Sequence, residues 1–291
     1  MKKLILLIFS IVFGASIALH SESQTSGADF TLKKKWETRK VLNVPESVIY
    51  DGERNILYVS NINGKPTEKN GKGFISRVTL TGEVKELKWI TGLNAPKGSG
   101  IHGGKLYVAD IDRLAEIDIA GGKIINSYQA AGAEFLNDVA IDEEGSVYVS
   151  DMSSANSVIY RLKDGKLSLR LKGSAISSPN GLYAEKDRLV VGNSGDGKLK
   201  AVGWGDKTIT TMAVIGSGID GIAADGERNH FISDWAGRTS IVKSSGDVVV
   251  ILDTTPSGIN SADITYIKEK KLLIIPTFFD NRLMAYEIEK K

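Results

Sequence analysis

The chain is predicted to be all-β, a six-bladed β-propeller closed by an N-terminal strand that completes the last blade. Three observations lead there: a two-strand hairpin recurs six times, the copies are spaced by roughly forty residues, and too few strands follow the last copy to finish a blade. The clearest copy is LNDVAIDEEGSVYVSD, residues 136 to 151, in which an apolar run meets an acidic turn closed by Gly145 and a second β-rich run ends on an acid. Its relatives begin at Pro45, Pro179 and Ile219; a looser copy runs from Lys97, and the loosest from Ala262.

Aligned on the residue that enters each first strand, the copies start at Glu46, Lys97, Asn137, Asn180, Asp220 and Ala262, in steps of 51, 40, 43, 40 and 42 residues. Outer strands follow each hairpin, as SVIYRLK and KLSLRLK do in blade three and GFISRVTL and EVKELKW in blade one. After the last hairpin only RLMAYEIE remains, so FTLKKKWETRK, residues 30 to 40, is expected to supply the missing strand and remove an exposed sheet edge.

Ahead of the ring, MKK and an apolar run of 16 residues read as a secretory signal peptide over residues 1 to 20, with a flexible leader over 21 to 29 and the propeller over 30 to 291. The run is short for a membrane span, and no cysteine follows it to carry a lipid, so no stable anchor is expected. The expected location is the periplasm or the outside of the cell, and the expected state is a monomer. Removing Lys2 and Lys3 brings the net charge of +2 to about zero, which argues against a nucleic-acid partner. There is no cysteine, so the fold rests on its core without disulfides.

In a propeller the first strand of each blade lines the central channel, and its first residue sits at the rim of one face. Four of the six rim residues, Glu46, Asn137, Asn180 and Asp220, carry side-chain oxygens. Two carboxylates and two amides make a hard-oxygen set whose charge a divalent cation would cancel; calcium suits it, with water completing about six to eight ligands. No His or Cys falls at these positions, which excludes ordinary zinc ligation. The competing reading makes Asn180-Gly181 and Asp220-Gly221 turn residues, with Lys97 pairing with Glu46 and leaving no room for a metal.

A second polar ring lies where the second strands end, at Asn61, Asp110, Asp151, Asn193 and Asp234. These residues return to the site face and are candidates for a second shell, or for caps on the loops that follow. Asp51, Asp142 and Asp225 belong to hairpin turns on the opposite face. The loop at 61 to 74 is the longest insertion, polar and glycine-rich, and is read either as a mobile lid or as a solvated loop. His20, His102 and His230 lie away from the rim, and no nucleophile elbow, phosphate loop or zinc motif is present. Trp235, Phe278 and Phe279 suit core packing, channel lining, a ligand pocket or a partner surface.

Pro45-Glu46-Ser47, Leu136-Asn137-Asp138, Pro179-Asn180-Gly181-Leu182 and Ile219-Asp220-Gly221-Ile222, in that order, resemble the senescence marker protein and gluconolactonase family, six-bladed propellers that include regucalcin. The hairpins also resemble NHL repeats. The family resemblance implies that Glu46, Asn180 and Asp220 hold a divalent metal, most simply Ca2+, with Asn137 contacting substrate. It implies hydrolysis of a lactone or related ester, with the metal polarising the carbonyl and Asp220 or a metal-activated water serving as base; Asp220 and Asn137 are then the catalytic residues. Sugar-lactonase members place an arginine where this chain has Phe135. Phe135 therefore points to an apolar lactone or aryl ester, with Asn137, Phe135 and Lys97 as the substrate-binding set. The alternative is a non-catalytic propeller that binds a protein or glycan, with a structural metal or none.

Overall fold

The structure is a computed structural model that describes residues 30 to 290 apart from Ser154, so the signal-peptide and leader assignments lie outside the described residues. Six four-stranded antiparallel sheets are arranged as blades. Blade one runs from Pro45 to Leu93, blade two from Pro96 to Gln129, blade three from Leu136 to Lys172, blade four from Pro179 to Val214 and blade five from Ile219 to Asp253. Blade six takes three strands from the C-terminal end of the chain, Thr265–Ile267, Leu272–Pro276 and Leu283–Lys290, and its fourth from Phe30–Glu37. The closure read from the sequence is thus the closure observed, with Phe30 opposite Lys290 and Glu37 opposite Met284.

Alternating side chains decide where the core sits. Each central strand presents one face to the blade before it and one to the blade after it, and the apolar residues gather in clusters between neighbouring sheets. Leu57, Val59, Ile274 and Ala285 pack between blades six and one, and Val190, Leu199, Ile222 and Ile232 between blades four and five. The outermost strands, such as Lys123–Gln129 and Lys166–Lys172, are largely exposed, and the latter carries Lys166, Arg170 and Lys172, charges that discourage edge pairing. With the core shared out between blades, the axis is left to polar residues.

The strand entrances share an irregularity that aims those residues. The ladder between first and second strands shifts register between Pro45 and Ser47, Pro96 and Ser99, Leu136 and Val139, Pro179 and Leu182, and Ile219 and Ile222. Such bulges leave residues out of the ladder and turn them away from the sheet. Here they release Glu46, Lys97, Asn137, Asn180 and Asp220. Serines on the second strands stitch the bulges to the next blade: Ser150 Oγ accepts from Asp138 N–H at 2.9 Å and donates to the Asn180 carbonyl at 2.7 Å. Ser233 Oγ repeats this with Gly221 N–H and the Ala262 carbonyl.

Close packing at the axis makes glycine necessary behind some bulges. A Cβ on Gly98 would stand 2.5 Å from Asp138 Cα and 2.8 Å from the Asn137 carbonyl oxygen, both backbone atoms. Gly98→Ala is therefore expected to destabilise the ring by about 2 to 3 kcal/mol, read as a lower denaturant midpoint with an unchanged m-value. An unchanged midpoint would mean that the blades slide apart at no cost.

Candidate functional site

Glu46, Lys97, Phe135, Asn137, Asn180 and Asp220 come from five blades and the loop before blade three, and the fold brings all six to one cavity of about 320 Å3 on the rim face. Its remaining wall is mainly apolar. Ile62 and Pro66 come from the loop after the second strand of blade one, Met152 from blade three, and Trp235, Phe278 and Phe279 from the loops of blades five and six. The three aromatic rings stand edge to face, 4.8 to 5.8 Å apart, with Phe278 buried and Trp235 and Phe279 exposed at 45% and 62%. These residues are cavity lining with their outer edge in solvent.

The polar groups form the floor. Asn180 Nδ2 donates to Asp220 Oδ1 at 2.7 Å, and Asn137 Nδ2 donates to Met152 Sδ at 2.6 Å. Lys97 Nζ donates to the Ala95 carbonyl at 3.0 Å and lies 4.8 Å from the centre of the Phe135 ring. Glu46 Oε2 is buried without a hydrogen-bond partner. The Glu46–Lys97 salt bridge of the competing reading is not formed, although each charge acts on the other.

Two further acids, which sequence reasoning left out of the site, lie beneath this floor. Asp138 accepts from Val139 N–H and Leu182 N–H, both at 2.6 Å, and its carboxyl meets that of Asp263. Asp263 N–H in turn donates to the Glu46 carbonyl at 2.9 Å. Asp138 and Asp263 also line a second cavity of about 320 Å3 on the opposite face. The channel therefore has two vestibules separated by a waist of four buried carboxyls. The signal in the sequence was the acid after a rim residue, in Asn137-Asp138 and Ala262-Asp263.

Crowding of acids away from water sets their proton affinities. Burial, with Asp220 as a neighbouring charge, raises Glu46 well above the ordinary carboxylate range, and Lys97 only partly opposes this. Burial pushes Asp220 up to about 7 against the Asn180 hydrogen bond, and pushes Asp138 up to about 7 against its two backbone donors. Burial, then the charges of Asp138, Glu46 and Asp220, raises Asp263 strongly. Burial lowers Lys97 to about 8, with Glu46 and Asp110 pulling the other way.

A pH dependence follows. Between about pH 4 and 7 the folded state keeps protons on Asp138 and Asp220 that the unfolded chain has released, so stability is full below pH 4 and is lost as pH rises through 7. Lys97 works in reverse: its burial penalty below about pH 8 is relieved as pH climbs toward 10.5. In the presence of a chelator, Tm is expected to fall between pH 5 and about 7.5 and then to level. A Tm that rises over that interval would show that the acids are paired.

The residues of the second polar ring hold loops, chiefly through backbone N–H groups. Asp110 accepts from Asn94 N–H and Ala95 N–H, Asp151 from Glu134 N–H and Phe135 N–H, and Asn61 Oδ1 from Asn43 N–H. Asp234 takes Gly237 N–H and Arg238 N–H, and Asn193 Nδ2 donates to Asp196. Three of the five thus clamp the loops that deliver Lys97, Phe135 and Glu46, and two cap loops of their own blades. Asp51, Asp142 and Asp225 accept turn N–H groups as expected. The 61–74 loop is tied down by Asn63 Nδ2 to the Lys72 carbonyl, by Gly71 N–H to Asn94 Oδ1 and by a Lys69–Asp112 ion pair. It enters the site as an anchored wall.

Among the described residues no three His, Cys, Asp or Glu form a metal-binding group, so a cation here depends on amide oxygens and water beside the carboxylates. The donor chemistry fits such an ion. Glu46 Oε2 is an unclaimed buried acceptor, Asp220 is close enough to raise the Glu46 proton affinity, and Asn180 adds an amide oxygen beside Asp220.

No family model matches the chain, and no curated protein matches it. Solved structures do. A streptogramin B lyase aligns over 91% of this chain and 99% of its own at a TM-score of 0.65 and 13% identity. A protein provisionally named a gluconolactonase aligns over 91% and 94% at 0.64 and 15% identity. A chain of a nidogen–laminin complex aligns over 77% and 84% at 0.66 and 16% identity. At these identities the likeness is one of fold, and it spans a lyase and a nidogen–laminin complex alike.

Proposed function

We propose that the protein is a metal-dependent hydrolase of lactones or related esters, and that it belongs with the gluconolactonase-like propellers. The observation that carries this reading is the convergence of Glu46, Asn180 and Asp220 on the floor of an apolar-walled cavity, with Glu46 Oε2 left unpartnered. A buried carboxylate oxygen without a donor calls for a partner of its own. A calcium ion on these three residues would supply a Lewis acid for the ester carbonyl.

The chain's own residues would do the rest. Asp220, on the cavity floor with one oxygen held by Asn180, is placed to take a proton from the attacking water and return it to the leaving alkoxide. Asn137 holds its amide N–H on a sulfur, a weak acceptor that an ester oxygen would displace. Phe135, Trp235 and Phe278 would hold the apolar part of the substrate and keep bulk water from the reacting carbon. With Phe135 in place of a fork of donors, aryl and alkyl lactones should outcompete polyhydroxylated sugar lactones.

The test is calorimetric calcium titration of the protein, with a panel of aryl esters, alkyl lactones and sugar lactones assayed in the same buffers. Calcium binding with metal-dependent turnover of the apolar members is the expected result. Calcium binding without turnover would favour the binding-platform alternative, for which the exposed edges of Trp235 and Phe279 offer a surface. No calcium binding would end the metal reading.

A further inference from the structure

We propose that the rim cavity is a receptor for apolar carboxylates, with Lys97 as the group that grips the carboxylate. In the terms of the hydrolase reading, on which this naming rests, such a ligand is the acid released from the substrate, so that the enzyme acts on esters of aryl or alkyl acids and retains their product. The binding itself is independent of turnover.

Lys97 is 1% exposed, lines the cavity, and belongs to the rim strand of blade two. An ammonium has three N–H donors. Among the described residues the Ala95 carbonyl takes one, and the Phe135 ring faces the charge from the side. Among the described residues Glu46, whose charge reaches Lys97, forms no salt bridge with it and leaves Oε2 without a hydrogen-bond partner. A buried ammonium that closes no salt bridge is costly unless it meets another partner.

The cavity offers that partner. A divalent cation at Glu46 and Asp220 would engage those two carboxylates and leave the Lys97 ammonium with no carboxylate hydrogen-bonded to it in the cavity. A neutral ester gains little from that ammonium, whereas a carboxylate gains a charge-assisted hydrogen bond. The walls set the rest of the ligand: Phe135, Trp235, Phe278 and Phe279 enclose a space suited to an aryl or branched alkyl group and offer no donors to hydroxyls, apart from the indole N–H. Carboxylate head and apolar tail thus meet complementary ends of one cavity.

The test titrates 3-phenylpropanoate and its neutral amide, 3-phenylpropanamide, into the protein with calcium present and with a chelator, followed by calorimetry. In the calcium buffer the carboxylate is expected to bind at least tenfold more tightly than the amide. Lys97→Met should erase that preference with amide binding unchanged, while Lys97→Arg, which keeps the charge, should retain most of it. Circular dichroism melts check that both variants fold, and the wild-type comparison stands whether or not they do. Equal affinities in the wild type, absence of binding by either probe, or a preference that survives Lys97→Met overturns the proposal, even if calcium binds and esters are hydrolysed. A Lys97-dependent preference without calcium binding keeps the proposal and removes the hydrolase reading.

Discussion

Asp220→Asn is expected to abolish calcium binding, to lower kcat/KM on any ester the protein hydrolyses by at least a hundred- to a thousandfold, and to make the metal-free protein more stable. The two directions share one cause. Asp220 is buried beside Glu46 and the Asp138–Asp263 pair, and its carboxyl is pushed up to about 7, so at pH 8 the metal-free fold must carry a poorly solvated charge. The substitution removes that charge and keeps the geometry, since an amide oxygen can still accept from Asn180 Nδ2. At about 1.4 kcal/mol for each tenfold change in proton affinity, with relaxation discounted, the gain at pH 8 is on the order of 2 to 4 kcal/mol. Thermal melts in chelator at pH 8, beside calcium titrations of both proteins, check both halves. A variant that loses stability would make Asp220 a structural acid, and loss of calcium binding would then count for nothing.

That site was legible in the sequence because repetition compares the chain with itself. Glu46, Asn137, Asn180 and Asp220 stand out as equivalent positions, and equivalence around a ring implies convergence in space. Asp138 and Asp263 were not legible by the same logic, since a strand of period two sends the next side chain to the opposite face, into the packing between blades. In blade three the Leu136-to-Val139 bulge breaks that alternation and turns Asn137 and Asp138 to the axis, while Asp263 lies ahead of the first strand of blade six, outside any strand period. A bulge carries no residue signature apart from the glycines beside it, and Gly98, Gly181 and Gly221 read in sequence as turn formers. The second polar ring was found for a correct reason, the return of its strands to the rim face, but the groups that donate to Asp110 and Asp151 are backbone N–H groups of loops. Sequence spacing records which side chains recur, and it does not record which backbone donors lie in reach. The aromatic wall was visible only as three residues with several uses, because Trp235 and Phe278 meet across two loops whose paths no pattern specifies.

The largest effect on stability is expected at the seam of the ring. Phe30–Glu37 pairs with Leu283–Lys290 from end to end apart from a bulge at Lys35, and it faces two neighbours at once. Phe30 and Leu32 pack with Ile251, Ile275 and Ile288 between blades five and six, while Trp36 packs toward blade one, where a Cβ on Gly82 would come within 2.7 Å of its ring. Deleting residues 30 to 37 therefore empties two inter-blade cores and bares the backbone edge of Leu283–Lys290. The loss should be on the order of 5 kcal/mol or more, comparable with the whole stability of many domains, with aggregation through the freed edge. A circular permutant separates the strand's packing from its place in the chain. Because Phe30 stands opposite Lys290, a short loop can join residue 290 to residue 30 as an ordinary hairpin, with new ends opened between Lys40 and Val41, both exposed. Every strand pair is kept, so the permutant should fold, melt within a few degrees of the parent and bind calcium as the parent does. The deletion should not fold. If the deletion folds as well as the permutant, the closure is decoration and five complete blades hold the ring. If neither folds, the hydrogen bonds around the cut, Thr38 N–H to the Leu283 carbonyl and Leu42 N–H to the Asn281 carbonyl, carry the seam, and the weight of closure moves from the strand to the turn that follows it.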